Sequence, residues 1–117
     1  MIFYMKRTAD NQSMLFKALA DESRRHLLDK LQQQDGLTLS ELCLELAMSR
    51  QAVTKHLLIL EAANLVVPVQ RGRNKHHYLN PVPLLEIVDR WTDKFRQHQA
   101  GVLIDLKRKL EQDNEEQ

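Results

Sequence analysis

Residues 49–60 read Ser-Arg-Gln-Ala-Val-Thr-Lys-His-Leu-Leu-Ile-Leu, a stretch whose two sides call for different surroundings. Val53, Leu57 and Leu60 recur at i, i+4 and i+7, which stacks them on one side of a helix and turns that side toward a core. Arg50, Gln51, Thr54 and Lys55 crowd the opposite side over the first two turns. Side chains of these types can reach base edges or phosphates from a helix laid in a major groove. Ser49 suits the N-cap, where its oxygen accepts from an orphan backbone N–H of the first turn. Taken alone, the pattern equally fits an amphipathic helix with a solvated polar face. The neighbouring segments decide between the two.

Upstream, Thr38 to Leu46 predicts a short helix with Thr38 as N-cap, Glu41 completing a capping box, and Leu39, Leu42, Cys43 and Leu46 forming the apolar stripe. Only Ala47 and Met48 separate it from Ser49. A short helix, a tight turn and a longer capped helix with polar leading residues is the helix-turn-helix plan. Downstream the period changes. Leu65 to Gln70 is rich in valine, Arg71-Gly72-Arg73-Asn74 has turn chemistry, and Lys75 to Leu79 closes a second strand, so a hairpin with a basic tip is expected. The fold class is therefore mainly α with a small β-hairpin: one winged helix-turn-helix domain over residues 1–117, its core at about 11–80.

Two more helices lead into this unit. Asn11 to Leu19 carries Met14, Leu15, Ala18 and Leu19; Asp21 caps the next helix, with Leu27, Leu28 and Leu31 on its apolar face and a left-handed exit expected at Gly36. Arg24 and Arg25 fit pairing with Asp21, Glu22 and Asp29 on their own helix. After Pro83 one long helix is expected to about Glu111, followed by an acidic, frayed tail over 112–117. Leu84, Val88, Trp91, Phe95, His98 and Val102 step by 4, 3, 4, 3, 4, and Leu103, Leu106 and Leu110 carry the stripe onward past Gly101, where a bend is possible. Such a helix is roughly 40 Å long, more than a core of this size can cover. The expectation is a homodimer, with Met14, Leu15, Leu84, Val88, Trp91, Phe95, Val102 and Leu106 at the interface together with Ile2, Phe3 and Tyr4; the alternative is a helix folded back on its own domain.

The chain's net charge of +1 does not by itself suggest nucleic acid. Distribution matters more. Between Ser49 and Asn80, Arg50, Lys55, Arg71, Arg73 and Lys75 oppose the single acid Glu61, so the basic charge sits on the two elements that would touch a duplex. No apolar run approaches the roughly 18 residues of a membrane span, and Met1 to Met5 is too short for a signal-peptide core. A cytoplasmic protein with no membrane partner is expected. One cysteine precludes an intrachain disulfide and fits a reducing compartment.

Several segments in order resemble the ArsR/SmtB-type winged helix-turn-helix transcriptional repressors. They are Leu19-Ala20-Asp21-Glu22-Ser23-Arg24-Arg25, Leu39-Ser40-Glu41-Leu42, Met48-Ser49-Arg50-Gln51-Ala52-Val53-Thr54-Lys55-His56-Leu57, the Gly72-Arg73 wing and His77-Tyr78-Leu79-Asn80-Pro81. Pro81-Val82-Pro83 and Arg90-Trp91 are similar to the subgroup that lacks the usual metal-ligand motifs. The resemblance implies a homodimeric repressor that binds an inverted-repeat operator in double-stranded DNA, with no cofactor. The residues it implies at the DNA are Ser49, Arg50, Gln51, Ala52, Thr54, Lys55 and His56 on the reading helix, and Arg71, Arg73, Asn74 and Lys75 on the wing. Arg50 and Gln51 would take bases, Thr54 would follow, Lys55 would lie nearer a phosphate, and His56, packed in part against the core, would support them; the same resemblance implies Arg24 and Arg25 close to the DNA backbone, as the alternative to their pairing on the helix.

Relatives of this type often sense metals, and here the sequence departs from them. Glu45 stands where the second thiolate of a Glu-Leu-Cys-x-Cys site belongs, Asp89 is followed by Arg90 and Trp91 in place of an Asp-x-His pair, and His98 has Phe95 and Val102 as its helical neighbours. His76 and His77 point to opposite faces of a strand and cannot hold one ion together. No metal site is expected. Cys43, on an apolar stripe, reads as a small core residue. No glycine-rich phosphate cradle and no nucleophile beside a base is recognisable, so an enzyme is not expected. The alternatives to a DNA-binding repressor are a winged-helix module that docks its basic face on an acidic protein, and a repressor that responds to thiol chemistry or metal.

Overall fold

The computed structural model describes residues 9–115, so the roles expected for Ile2, Phe3 and Tyr4, and for the last two residues of the tail, lie outside the described residues. Those described residues form α1 (Ala9–Leu19), α2 (Glu22–Gln33), α3 (Leu39–Leu46), α4 (Arg50–Ala62), β1 (Val66–Arg71), β2 (Asn74–Leu79) and α5 (Val82–Glu115). Five helices and one antiparallel hairpin make a winged helix-turn-helix, as the sequence predicts.

Three helix starts follow directly from their caps. Asp21 accepts from the Arg24 N–H at 3.0 Å. Thr38 and Glu41 exchange bonds as a capping box, with the Thr38 N–H donating to Glu41 Oε1 at 2.9 Å. Ser49 accepts from the Ala52 N–H at 3.2 Å. Each satisfies an orphan donor of a first turn. The ends follow the sequence less closely. Helix α2 stops at Gln33 with Gln34 already extended, and Gly36, at φ +78°, serves another purpose than the expected exit. Its N–H donates to the His77 carbonyl at 2.9 Å, and Leu37 bridges His77 as a one-residue addition to the sheet.

Helix α3 ends on Ala47 at φ 52°, a left-handed residue without the glycine that usually occupies such a site. Ala47 is exposed, so its methyl group contributes little packing. Ala47→Gly is therefore expected to stabilise the protein by about 0.5–1 kcal/mol: relief of left-handed strain exceeds the extra entropy of an unfolded glycine. A thermal melt at fixed protein concentration checks this, and a lower melting temperature would contradict it.

The core is built from Leu15 and Ala18 of α1, Leu27, Leu28 and Leu31 of α2, Leu37, Leu42 of α3, Val53, Leu57 and Leu60 of α4, and Ala63, Leu65 and Val66 beyond it. Leu15 corrects an expectation. It is fully buried in the protomer's own core and so is not free to face a second subunit, whereas its neighbour Met14 is exposed. The hairpin is tighter than expected: Arg71 pairs with Asn74, which leaves Gly72 and Arg73 as a two-residue turn. Gly72 has φ +62° at the first central position, the place where a II′-type turn calls for glycine. Asn80 then ties the hairpin base to the end of α4, its N–H donating to the Leu65 carbonyl at 2.8 Å and its side-chain amide to the Asn64 carbonyl at 2.9 Å.

The chain divides into two compact units, a winged-helix unit ending at Pro83 and a second from Leu84 onward. Helix α5 has 34 residues, about 50 Å, and runs unbroken through Gly101. It also continues past Glu111 to Glu115, so residues 112–115 of the acidic tail are helical. Leu84 is half-buried; Val88, Trp91, Phe95, Val102 and Leu106 are exposed. None of the described helices is long and apolar enough to cross a membrane.

Candidate nucleic-acid interface

The α3–α4 pair places one strip of α4 outward. Its inner side chains Val53, Leu57 and Leu60 are at most 4% exposed, and this rotation leaves Arg50, Gln51, Thr54 and Lys55 on the surface. Arg50 is additionally held by α3, its guanidinium donating to Ser40 Oγ at 3.0 Å across the turn. Exposed Ser49 acts at the cap, and Ala52 is half-buried beside it.

His56 sits differently from the rest of the set. Its side chain is only 16% exposed and turns toward α2, with Nδ1 3.4 Å from a guanidinium nitrogen of Arg24 and 3.9 Å from an Asp21 carboxylate oxygen. It positions α4 against α2 and does not stand in the outward strip. The Arg24 backbone N–H holds the Asp21 carboxyl below its ordinary value, outweighing a desolvation that pushes it up; the Arg24 and His56 charges add to the lowering. The cap's contribution to stability is thus present above the usual carboxylate range and fades as pH falls through the lowered value.

Arg24 and Arg25 have a role that spacing did not suggest. Arg24 donates to the carbonyls of Ala18 at 2.8 Å and Lys17 at 3.1 Å, and Arg25 to that of Leu19 at 2.7 Å. They cap the C-terminus of α1, where orphan carbonyls and the negative end of the helix dipole favour cations. One signal was available: a helix ending with no glycine after it, followed within six residues by two arginines.

On the wing, Arg71, Arg73, Asn74 and Lys75 are all exposed. Among the described residues, Lys55, Arg71, Arg73 and Lys75 form no ion pair. The structure brings wing and helix together: a cleft of about 400 Å³ is lined by Ser40, Arg50, Thr54, Leu58, Arg73 and Lys75, among others. Arg71 lies outside that lining, and so do Gln51 and Lys55, which border an adjoining depression with Arg50, Thr54 and Leu58. Leu58, absent from the residues expected at the DNA, also belongs to this surface, and its spacing of four from Thr54 was the available signal. It is 61% exposed.

The remaining polar groups serve the frame. His76 and His77 hold the loop after α2 through contacts of their Nδ1 atoms with the carbonyls of Gly36 at 2.8 Å and Leu37 at 2.9 Å. Among the described residues, no group of three or more His, Cys, Asp or Glu side chains converges as a metal site, and Cys43 is half-buried.

A family model described as a helix-turn-helix domain matches residues 19–69, which span the end of α1 through most of β1. The HTH-type transcriptional regulator YuzN of Bacillus subtilis is 37% identical over 89 residues, 71% of this chain and 97% of that protein. The arsenical resistance operon repressor of Escherichia coli is 33% identical over 67 residues, 57% of either chain. Among solved structures, the ArsR-like transcriptional regulator from Rhodococcus sp. RHA1 superposes with a TM-score of 0.67 at 30% identity, covering 80% of this chain and 87% of that one. The helix-turn-helix, the wing and these likenesses agree: the chain belongs to the ArsR-type family of winged helix-turn-helix transcriptional regulators.

Proposed function

We propose that this regulator is a homodimeric repressor that reads an inverted-repeat operator through α4 and grips the flanking backbone with the wing. The observation that carries the reading is the shared surface on which Gln51, Thr54 and Lys55 stand outward beside a wing whose cations are unpaired among the described residues. Amide, hydroxyl and cationic groups on one rigid helix suit base edges and phosphates, and unpaired wing cations suit a polyanion. Repression is the role the Escherichia coli relative's name carries, and it extends to this chain by that likeness. A regulator of this kind works where the DNA is, in the cytoplasm, without metal or catalytic chemistry of its own.

The dimer rests on α5. Val88, Trp91, Phe95, Val102 and Leu106 are each more than half exposed, and a row of large apolar groups of this length is a surface that a second copy covers. Met14 of α1, which the sequence also assigns to the dimer, is exposed on its own unit. Two reading helices about a two-fold axis would enter successive major grooves roughly 34–36 Å apart, which makes a palindrome the matching site.

Selection of random duplexes by the purified protein tests the reading, and a recovered inverted repeat is expected. Binding to it falls steeply with added salt, because bound cations release counterions from the DNA. Arg73→Ala is expected to lower affinity for all sequences alike and to reduce the salt slope by about one for each phosphate that is no longer neutralised. Salt-insensitive binding with no preferred duplex would instead point to an acidic protein as the partner of the basic face.

A further inference from the structure

Leu57 and Leu58 are adjacent and have opposite fates, the first 4% exposed in the core and the second 61% exposed on the outer strip of α4. Leu58 stands four residues after Thr54 and seven after Gln51, so the helical period places it directly behind the two of them. It borders both the depression formed with Arg50, Gln51, Thr54 and Lys55 and the cleft toward Arg73 and Lys75. Every one of these neighbours is a hydrogen-bonding or charged group suited to acceptors, donors or phosphates. On the major-groove edge of DNA the one apolar feature is the C5-methyl group of thymine.

We infer that Leu58 is a specificity-determining residue that reads a thymine methyl group in each half-site. The inference rests on the DNA-binding reading above and deepens it by assigning a base. An apolar protein partner fits this leucine less well: covering it would also desolvate Lys55, Arg73 and Lys75, for which the described residues supply no counter-charge.

The test uses the full-length protein and its selected duplex, with each thymine replaced in turn by uracil, which removes the methyl group and leaves the Watson–Crick edge intact. For the wild type, one position in each half-site is expected to weaken binding about fourfold, the worth of one buried methyl group. Leu58→Ala is expected to weaken binding to the thymine duplex by at least as much and to become indifferent to uracil at that position, while Leu58→Met keeps the preference. Leu58 packs outside the core, so circular dichroism of the variants should match the wild type. A preferred duplex indifferent to every thymine methyl overturns this inference alone, as does sensitivity that persists unchanged in Leu58→Ala. Failure of the wild type to prefer any duplex overturns the DNA-binding reading, and this inference with it.

Discussion

Gln51→Ala is expected to abolish most of the preference between operator and random duplex, a loss of about 5- to 150-fold in relative affinity for each half-site, while binding to random DNA changes less than about twofold. Gln51 is exposed in the first turn of α4, and its side-chain amide offers the donor and acceptor pair that matches adenine N6 and N7. Such a bidentate contact is worth about 1–3 kcal/mol and forms with one base only. Arg73→Ala supplies the contrast, since a phosphate contact is made with every sequence. Competition titrations with labelled operator against random duplex separate the two behaviours. Equal losses on both duplexes from both substitutions would show that α4 does not read bases.

Phe95→Asp is expected to convert the dimer to a monomer and to weaken operator binding by about 10²–10⁴-fold, because the second half-site is then no longer tethered to the first. Phe95 is 59% exposed, so the substitution leaves the protomer's core intact and costs the helix only a few tenths of a kcal/mol in propensity. In a dimer the same side chain would be covered, and an aspartate there would bury an unpaired charge from each copy. Phe95 is the cleaner choice than Trp91, whose ring also holds the Lys94 ammonium at 5.4 Å. Light scattering reports the mass and a half-site duplex reports the residual affinity, which is expected to stay unchanged. A wild-type monomer at micromolar concentration, or a Phe95→Asp protein that remains dimeric, would remove α5 as the interface.

Much of this architecture was legible in the chain's local patterns. Asp21, Thr38 with Glu41, and Ser49 announce their helices because a cap satisfies backbone donors two or three residues away, within the reach of a sequence pattern. The inward set Val53, Leu57 and Leu60 and the outward set Arg50, Gln51, Thr54 and Lys55 separate on the helical period alone. Leu15 escaped that logic. Periodicity shows that a helix has an apolar face, but Met14 and Leu15 are both apolar, and which of them meets the core depends on how α1 is rolled against α2 and α4. Leu58 obeys it: four residues after Thr54 and seven after Gln51, it falls on the outward side although it is apolar.

The sequence alone therefore determined the order of elements, the N-caps of α2, α3 and α4, the basic tip of the wing and the family, all of which depend on residues a few positions apart. Tertiary structure decided the partnerships across distance. His56 turns to Arg24, 32 residues away, and does not join the outward strip. His77 meets Leu37 across 40 residues and diverts Gly36 from a helix exit to a sheet contact. Arg24 and Arg25 spend their guanidinium groups on the carbonyls of α1. A polar side chain takes whichever unsatisfied group the packed core brings within about 3 Å, and that proximity exists only once the helices have docked.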